Sequence, residues 1–329
     1  MGENYRPLDE DAVTPVIGTV LILAITLLVT GALLSWGIPN LQSNEAYANY
    51  MTCYNNLLNL QHDIGDVATQ GEGASRISSV SLSAGDAVFK KDSETFSFVY
   101  TTNSSVILDT EGLSNGSDFL RIYDLDNNLD IFNVTITYPD NEEARYTTSN
   151  NEIILSRNIV SDTSGIISDV NGEELGGFIL IGVDELAYSY KSVAGVYYMS
   201  LISGSTIAKE PSSQPYLISA PLALGSLESG TISFYSVDLD ITSSRYSAIG
   251  TGNYEVALRN TGGSVQTFTS IYHLRLHISG DFQTPLYYGY QSYFDFEKDP
   301  FGNEIYIDSD TPIDFRLLER KIDVSVSLR

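Results

Sequence analysis

The sequence predicts an α+β protein: one long N-terminal hydrophobic helix followed by an all-β, sandwich-like antiparallel head. Three observations carry this. Residues 12–41 contain no charged side chain. Residues 47–67 then repeat apolar and aromatic side chains at helical spacings of three and four. From Ser75 onward the spacing changes to two, and no long amphipathic helix follows Gly73.

Taken in order, residues 1–11 form a polar leader with Arg6 and the acidic run Asp9, Glu10 and Asp11. Within the uncharged stretch, residues 16–38 hold only apolar, small or hydroxyl residues and Trp36. As a helix rising ~1.5 Å per residue, that core spans a hydrocarbon layer of about 30 Å. Thr19, Thr26, Thr30 and Ser35 can return their hydroxyl protons to a carbonyl one turn back, so they are compatible with the span. The stretch exceeds a secretory apolar region of roughly 7–15 residues. Arg6 precedes the span and the next basic residue is Arg76, which favours the N-terminus inside and the bulk of the chain outside. Trp36 suits the far interface. Pro39 predicts a kink or a short unwound turn.

Residues 42–72 read as an amphipathic continuation. Tyr47, Tyr50, Tyr54, Leu57, Leu60, Ile64 and Val67 make a stripe that needs a partner surface, while Asn49, Asn55, Asn56, Asn59 and Asp63 are expected to be solvated. Gly71 and Gly73 end the helix.

The start of the helix carries a further signal. A polar leader ending in Asp9-Glu10-Asp11, then Ala12 and the run Thr14-Pro15-Val16-Ile17-Gly18, resembles the N-terminus of archaeal type IV pilins over about the first 40 residues. Where bacterial pilins have Gly before the cut and Glu shortly after it, this chain has Asp11 and Val16. The resemblance implies a class III signal cut by a prepilin peptidase between Asp11 and Ala12. It also implies other pilin-like subunits as partners, with Gly18, Thr19, Gly31 and Ala32 as the small residues at which apolar helices approach closely. A plain signal anchor is the alternative.

In the head, alternating runs include Tyr254-Val256-Leu258, Tyr272-Leu274-Leu276-Ile278 and Ile322-Val324-Val326-Leu328. Ile232 and Phe234 share one face and Val237, Leu239 and Ile241 the other, which predicts a bulge or turn near Tyr235 and Ser236. Turn residues punctuate the segment, and residues 209–215 read as a linker. The reading is one β-rich head over residues 73–329, or two lobes with the second starting near 210.

A net charge of −25 and a pI near 4.2 argue against nucleic acid or anionic lipid as partners. The single cysteine, Cys53, excludes an internal disulfide and a Cys-based metal site. His273 and His277 alternate with Arg275 on one strand face, and ~13 Å between them is too far to share a metal. Asp124, Asp126, Asn128 and Asp130 resemble the start of a calcium loop, but Leu129 stands where Gly is needed and Thr135 where Glu is. The sequence therefore suggests a polar turn, with an irregular Ca²⁺ site as the alternative. No phosphate loop, dinucleotide fingerprint or zinc-protease motif is present.

Asn103, Asn115 and Asn133 begin N-x-Ser/Thr triplets and are expected in or beside loops, where an exported protein could be glycosylated. The aromatic run at Tyr287, Tyr288, Tyr290, Tyr293, Phe294 and Phe296 reads as core filling in strands, or as an exposed stacking surface. The functional expectation is a non-enzymatic, cofactor-free pilin-like surface subunit, held by one membrane helix or assembled into a filament and used for surface contact. The alternative is a membrane-anchored extracellular binding protein that never polymerises.

Overall fold

The computed structural model describes residues 10–126, 131–221, 223–226, 230–241, 247–249, 251–291, 297–298 and 304–328. Helix α1 (Glu10–Gln70) is unbroken over 61 residues. No unwound turn interrupts it at Pro39. The N–H that proline lacks removes one backbone bond, and nearby the Asn40 side-chain amide donates to the Trp36 carbonyl (2.9 Å).

The two halves of α1 meet different surroundings. Every side chain from 17 to 36 is exposed. Further on, Ala46, Tyr50, Cys53, Leu57, Leu60, Ile64 and Val67 are buried against the head, at alternating spacings of four and three. Tyr54 is half-buried and Tyr47 exposed, so Ala46 and Cys53 take stripe positions that the larger tyrosines were expected to hold. Gly71 ends the helix at φ +92° and Gly73 follows at +87°, a conformation other residues rarely adopt. Buried Asn260 clamps this end: its amide donates to the Val67 (3.0 Å) and Ala68 (3.4 Å) carbonyls, which have no helical partner.

The strands are β1 (Ser75–Leu82), β2 (Asp86–Thr101), β3 (Leu108–Glu111), β4 (Phe119–Asp124), β5 (Phe132–Thr137), β6 (Glu143–Thr148), β7 (Glu152–Ile154), β8 (Thr163–Ser168), β9 (Glu174–Ser192) and β10 (Gly195–Ile202). They continue with β11 (Ser205–Lys209), β12 (Tyr216–Ser219), β13 (Ala223–Ser226), β14 (Thr231–Ile241), β15 (Ser247–Ile249), β16 (Gly252–Gly262), β17 (Val265–Ser279), β18 (Glu297–Lys298) and β19 (Glu304–Leu328). A short helix, α2 (Gln283–Gln291), follows β17. One large sheet runs β1-β16-β19-β17-β2-β9-β10-β11-β12, and β3-β4-β7 form a second. Strands from both halves of the chain interleave in the large sheet: β16 pairs with β1, and β17 with β2. Among the described residues its pairs are antiparallel except one, because β14 runs parallel to β19 from Thr231 to Ile241.

Three cores share this sheet. The helix core joins α1 to Val80, Leu186, Met199, Val256 and Val324. The central core gathers Phe96, Phe98, Ile181, Phe234, Phe315 and Tyr290. The distal core holds Leu120, Phe132, Ile136, Phe178 and Leu180. In β9, Ile179, Ile181 and Val183 face the central core, whereas Phe178 and Leu180 face the distal core and Leu186 and Tyr188 the helix core. The central core thus covers one face, and the other two cores cover the opposite face at different points along the strand. β14 does the same, with Ile232 and Phe234 in the central core and Val237 and Leu239 in the helix core. Its ladder with β19 runs through Tyr235 and Ser236 without a register shift, so the expected bulge is absent. The phase change marks a change of core.

The polar side of α1 is less solvated than its composition implies. Asn55 and Asn59 are exposed, but the Asn56 amide donates to the Ser81 carbonyl (2.8 Å) on edge strand β1. Asp63 accepts from Ser78 Oγ and pairs with Arg76, and the Asn49 carbonyl accepts from Ser83 Oγ (3.1 Å). These contacts cover an edge that would otherwise offer free backbone groups.

The division of α1 gives a direct prediction. Leu57→Ala, 1 % exposed, should cost about 2–5 kcal/mol of head stability. Leu28→Ala, 72 % exposed, should leave the head unchanged. Urea denaturation in detergent, followed by circular dichroism, checks both.

Candidate functional site

The feature that sets this chain apart chemically is the bare half of α1. From Ile17 the helix is long and apolar enough to cross a membrane, with none of its most apolar window buried. Its polar groups are satisfied locally: Thr26 Oγ1 donates to the Ile22 carbonyl (2.8 Å) and Ser35 Oγ to the Ala32 carbonyl (3.1 Å). Asp11 and Ala12 lie in the first turn of α1, at the start of this segment.

Gly18, Thr19, Gly31 and Ala32 are all exposed, and a side chain added at Gly18 or Gly31 would meet none of the described residues within 4 Å. At 3.6 residues per turn, Gly18 and Gly31 point roughly 140° apart, and Thr19 and Ala32 fill the sectors between. The small residues therefore ring the helix and do not form a single stripe.

Where the bare half enters the head it meets a tyrosine-rich collar. Tyr50 stacks on Tyr197 with ring centroids 4.7 Å apart, and Tyr197 on Tyr190 at 6.3 Å. Burial first, then the neighbouring Tyr216 and Glu210, push the Tyr50 phenol well above its usual range.

The remaining sequence candidates are dispersed. The His273 Nδ1 meets Asp308 Oδ1 (2.8 Å) and the His277 Nε2 meets Asp109 Oδ1 (3.1 Å), so the two imidazoles have separate partners. For Asp109, burial raises the pKa, but the His277 hydrogen bond and charge outweigh it and hold the carboxyl below its usual range. Among the described residues no three His, Cys, Asp or Glu are placed to hold a metal ion. Asp124 is buried and accepts the Asp126 N–H (3.2 Å); Asn128 and Asp130 lie outside the described residues.

The three glycosylation candidates differ in setting. Asn115 is exposed on a turn. Asn103 sits in a loop, its Oδ1 accepting from both the N–H (2.9 Å) and the hydroxyl (2.7 Å) of Ser105. Asn133 lies inside β5, not in a loop. Its amide donates to the Asp169 carbonyl (2.7 Å), and its Oδ1 accepts from Thr147 (2.7 Å). The aromatic run also departs from expectation. Leu286, Tyr287 and Tyr290 are buried on helix α2, not in strands, and Tyr288 is exposed. Tyr293, Phe294 and Phe296 lie outside the described residues.

Sequence reasoning did not single out the buried acids of β2 and β9. Glu185, 1 % exposed, is paired with Lys90 Nζ (3.0 Å) and hydrogen-bonded by the Tyr198 hydroxyl. Asp184 accepts the N–H groups of Asp92 (3.0 Å) and Leu239 (3.2 Å), and burial pushes its pKa up. Glu94, also 1 % exposed, accepts the Phe282 N–H (3.1 Å) through one oxygen, while the other has no hydrogen-bond partner among the described residues. Burial pushes Glu94 up to about 8, against the opposing effect of that backbone bond.

No family model matches the chain, and comparison with curated proteins and with solved structures finds no match either.

Glu94 makes stability depend on pH. Its folded pKa of about 8 exceeds the ordinary 4.5, so between these values the folded state holds a proton that the unfolded state has released. Its contribution to stability falls as pH rises through that window. Glu94→Gln removes the dependence, so the variant should gain on the wild type by a few kcal/mol between about pH 5 and pH 9 in urea titrations. A pH-independent difference contradicts this.

Proposed function

We propose that this chain is an archaeal type IV pilin-like surface subunit. In this reading a prepilin peptidase removes residues 1–11. The helix from Ala12 then holds the protein in the membrane, and on assembly it exchanges lipid for the helices of neighbouring subunits. The β head faces the exterior and makes the surface contacts, with no catalytic role. The observation that carries this reading is the division of one continuous helix into a bare, wholly uncharged half and a half seated in the head. A helix surrounded by others on all sides in a filament needs small residues on more than one face, as Gly18, Thr19, Gly31 and Ala32 provide.

Two outcomes test the proposal. The mature protein should begin at Ala12 by mass spectrometry, and an intact leader on surface protein would leave only the plain anchor. Gly18→Leu and Gly31→Leu should preserve cleavage and membrane insertion while abolishing filaments sheared from cells. Wild-type protein that never appears in the sheared fraction would favour the non-polymerising anchored binding protein. Glycans, where added, belong at Asn103 and Asn115: replacing either by Gln should lower the intact mass by one glycan, whereas Asn133→Gln should leave it unchanged apart from the substitution.

A further inference from the structure

The β9–β10 hairpin reaches its tip beside the point where α1 leaves the head. That tip, Val193-Ala194-Gly195-Val196, is apolar and exposed, Val193 at 70 % and Val196 at 48 %. Gln42, Glu45 and Ala46 of α1 line a cleft of about 430 Å³ together with Tyr190, Lys191 and Val193. Exposed Tyr47 and Tyr216 lie on the same side, both close to Glu210 or to Tyr197. Trp36 and Leu41, at 73 % and 69 %, continue the same apolar surface down the helix.

We propose that the head does not stand clear of the bilayer but rests on its outer surface through this collar, with Val193 and Val196 entering the boundary between headgroups and acyl chains. The proposal rests on the membrane anchoring of α1. Three observations name lipid as the occupant.

The first is length. The uncharged run from residue 12 to residue 44 is about 50 Å long as a helix, against about 40–45 Å for a whole bilayer with its headgroups. Tilting the helix to fit draws the head closer to the surface. The first charged residue after the span, Glu45, lies in the wall of the collar cleft itself. The second is composition, since exposed Trp36, Tyr47 and Tyr216 around the helix exit match the aromatic interfacial belts of membrane proteins. The third is charge. In a chain of net charge −25, Lys191 offsets Glu45 in the walls of the collar cleft, leaving it locally neutral and suited to zwitterionic lipid.

The test uses the full chain in phosphatidylcholine vesicles with brominated acyl chains, which quench tryptophan at the depth of the bromine. Trp36 is the only tryptophan, so the wild type reports on the helix alone. In a Trp36→Phe background, Val193→Trp should shift its emission to the blue and lose most of its intensity. Val196→Trp should do the same and guards against misfolding of either variant. Ile154→Trp, at a site 79 % exposed and outside the collar, should keep its intensity. Quenching of Trp36 with full emission from both hairpin variants would overturn the docking and leave the anchoring intact. An unquenched Trp36 would overturn the anchoring, and the docking with it. Emission that shifts only at high protein-to-lipid ratio, without bromine quenching, would overturn the proposal in favour of contact between copies of the chain.

Discussion

One continuous helix carries an exposed apolar half and a half seated in the head, and the rest of the molecule follows from that constraint. From Ile17 to Leu41 the chain presents apolar side chains in every direction, as only a non-aqueous environment or other apolar helices can accommodate at low cost. From Ala46 it presents a stripe at spacings of four and three, which buries itself only if a sheet supplies a matching face. The large sheet supplies that face with Leu186 and Tyr188 of β9, Met199 of β10, Val256 of β16 and Val324 of β19. Asn260 then holds the far end of the helix by its otherwise orphaned carbonyls. Without this seat the stripe would face water, and the edge of β1 would lose the helix side chains that cover it.

A sheet with the helix on one face still has to cover the other, and it does so by passing long strands through several cores. β9 and β19 each change the face they bury along their length; the β9–β10 and β14–β19 ladders run through in register, whereas the β2–β9 and β16–β19 ladders shift there. Where the central and distal cores overlap on β2 and β9, both faces are buried at once. That is why the stretches around Phe96 to Tyr100 and Phe178 to Ile181 run nearly continuously buried. Burial on both faces is also what strands the carboxyl of Glu94 away from water.

Much of this was legible in the sequence. The helix, its seated stripe from Tyr50 to Val67, the glycines that end it and the β-rich head all follow from hydrophobic period and turn chemistry. The misreadings have physical causes. In β14 a period-two pattern changes phase in the same way whether the backbone bulges or the covered face changes, and only the register with β19 distinguishes them. The aromatic run at Tyr287 to Tyr290 has strand propensity. It is nevertheless helical, with Leu286, Tyr287 and Tyr290 buried, and Gly289 lets that helix lie close to Pro221, where an added Cβ would come within 2.6 Å. Asn56 and Asp63 look solvated by composition, since nothing local reveals that β1 will lie beside them. The parallel pairing of β14 with β19 joins segments some 80 residues apart, beyond any local signal.

The unbroken helix also has a mechanical consequence. The buried stripe runs along the helix axis from Ala46 to Ala68, about 33 Å at 1.5 Å per residue. Tension applied along α1 therefore loads every contact of that interface in shear at the same moment, instead of peeling them apart one after another. With no unwound turn at Pro39 to act as a swivel, the same rod passes bending and rotation of the span directly to the head. The molecule is built as a rigid handle whose grip is distributed along its length.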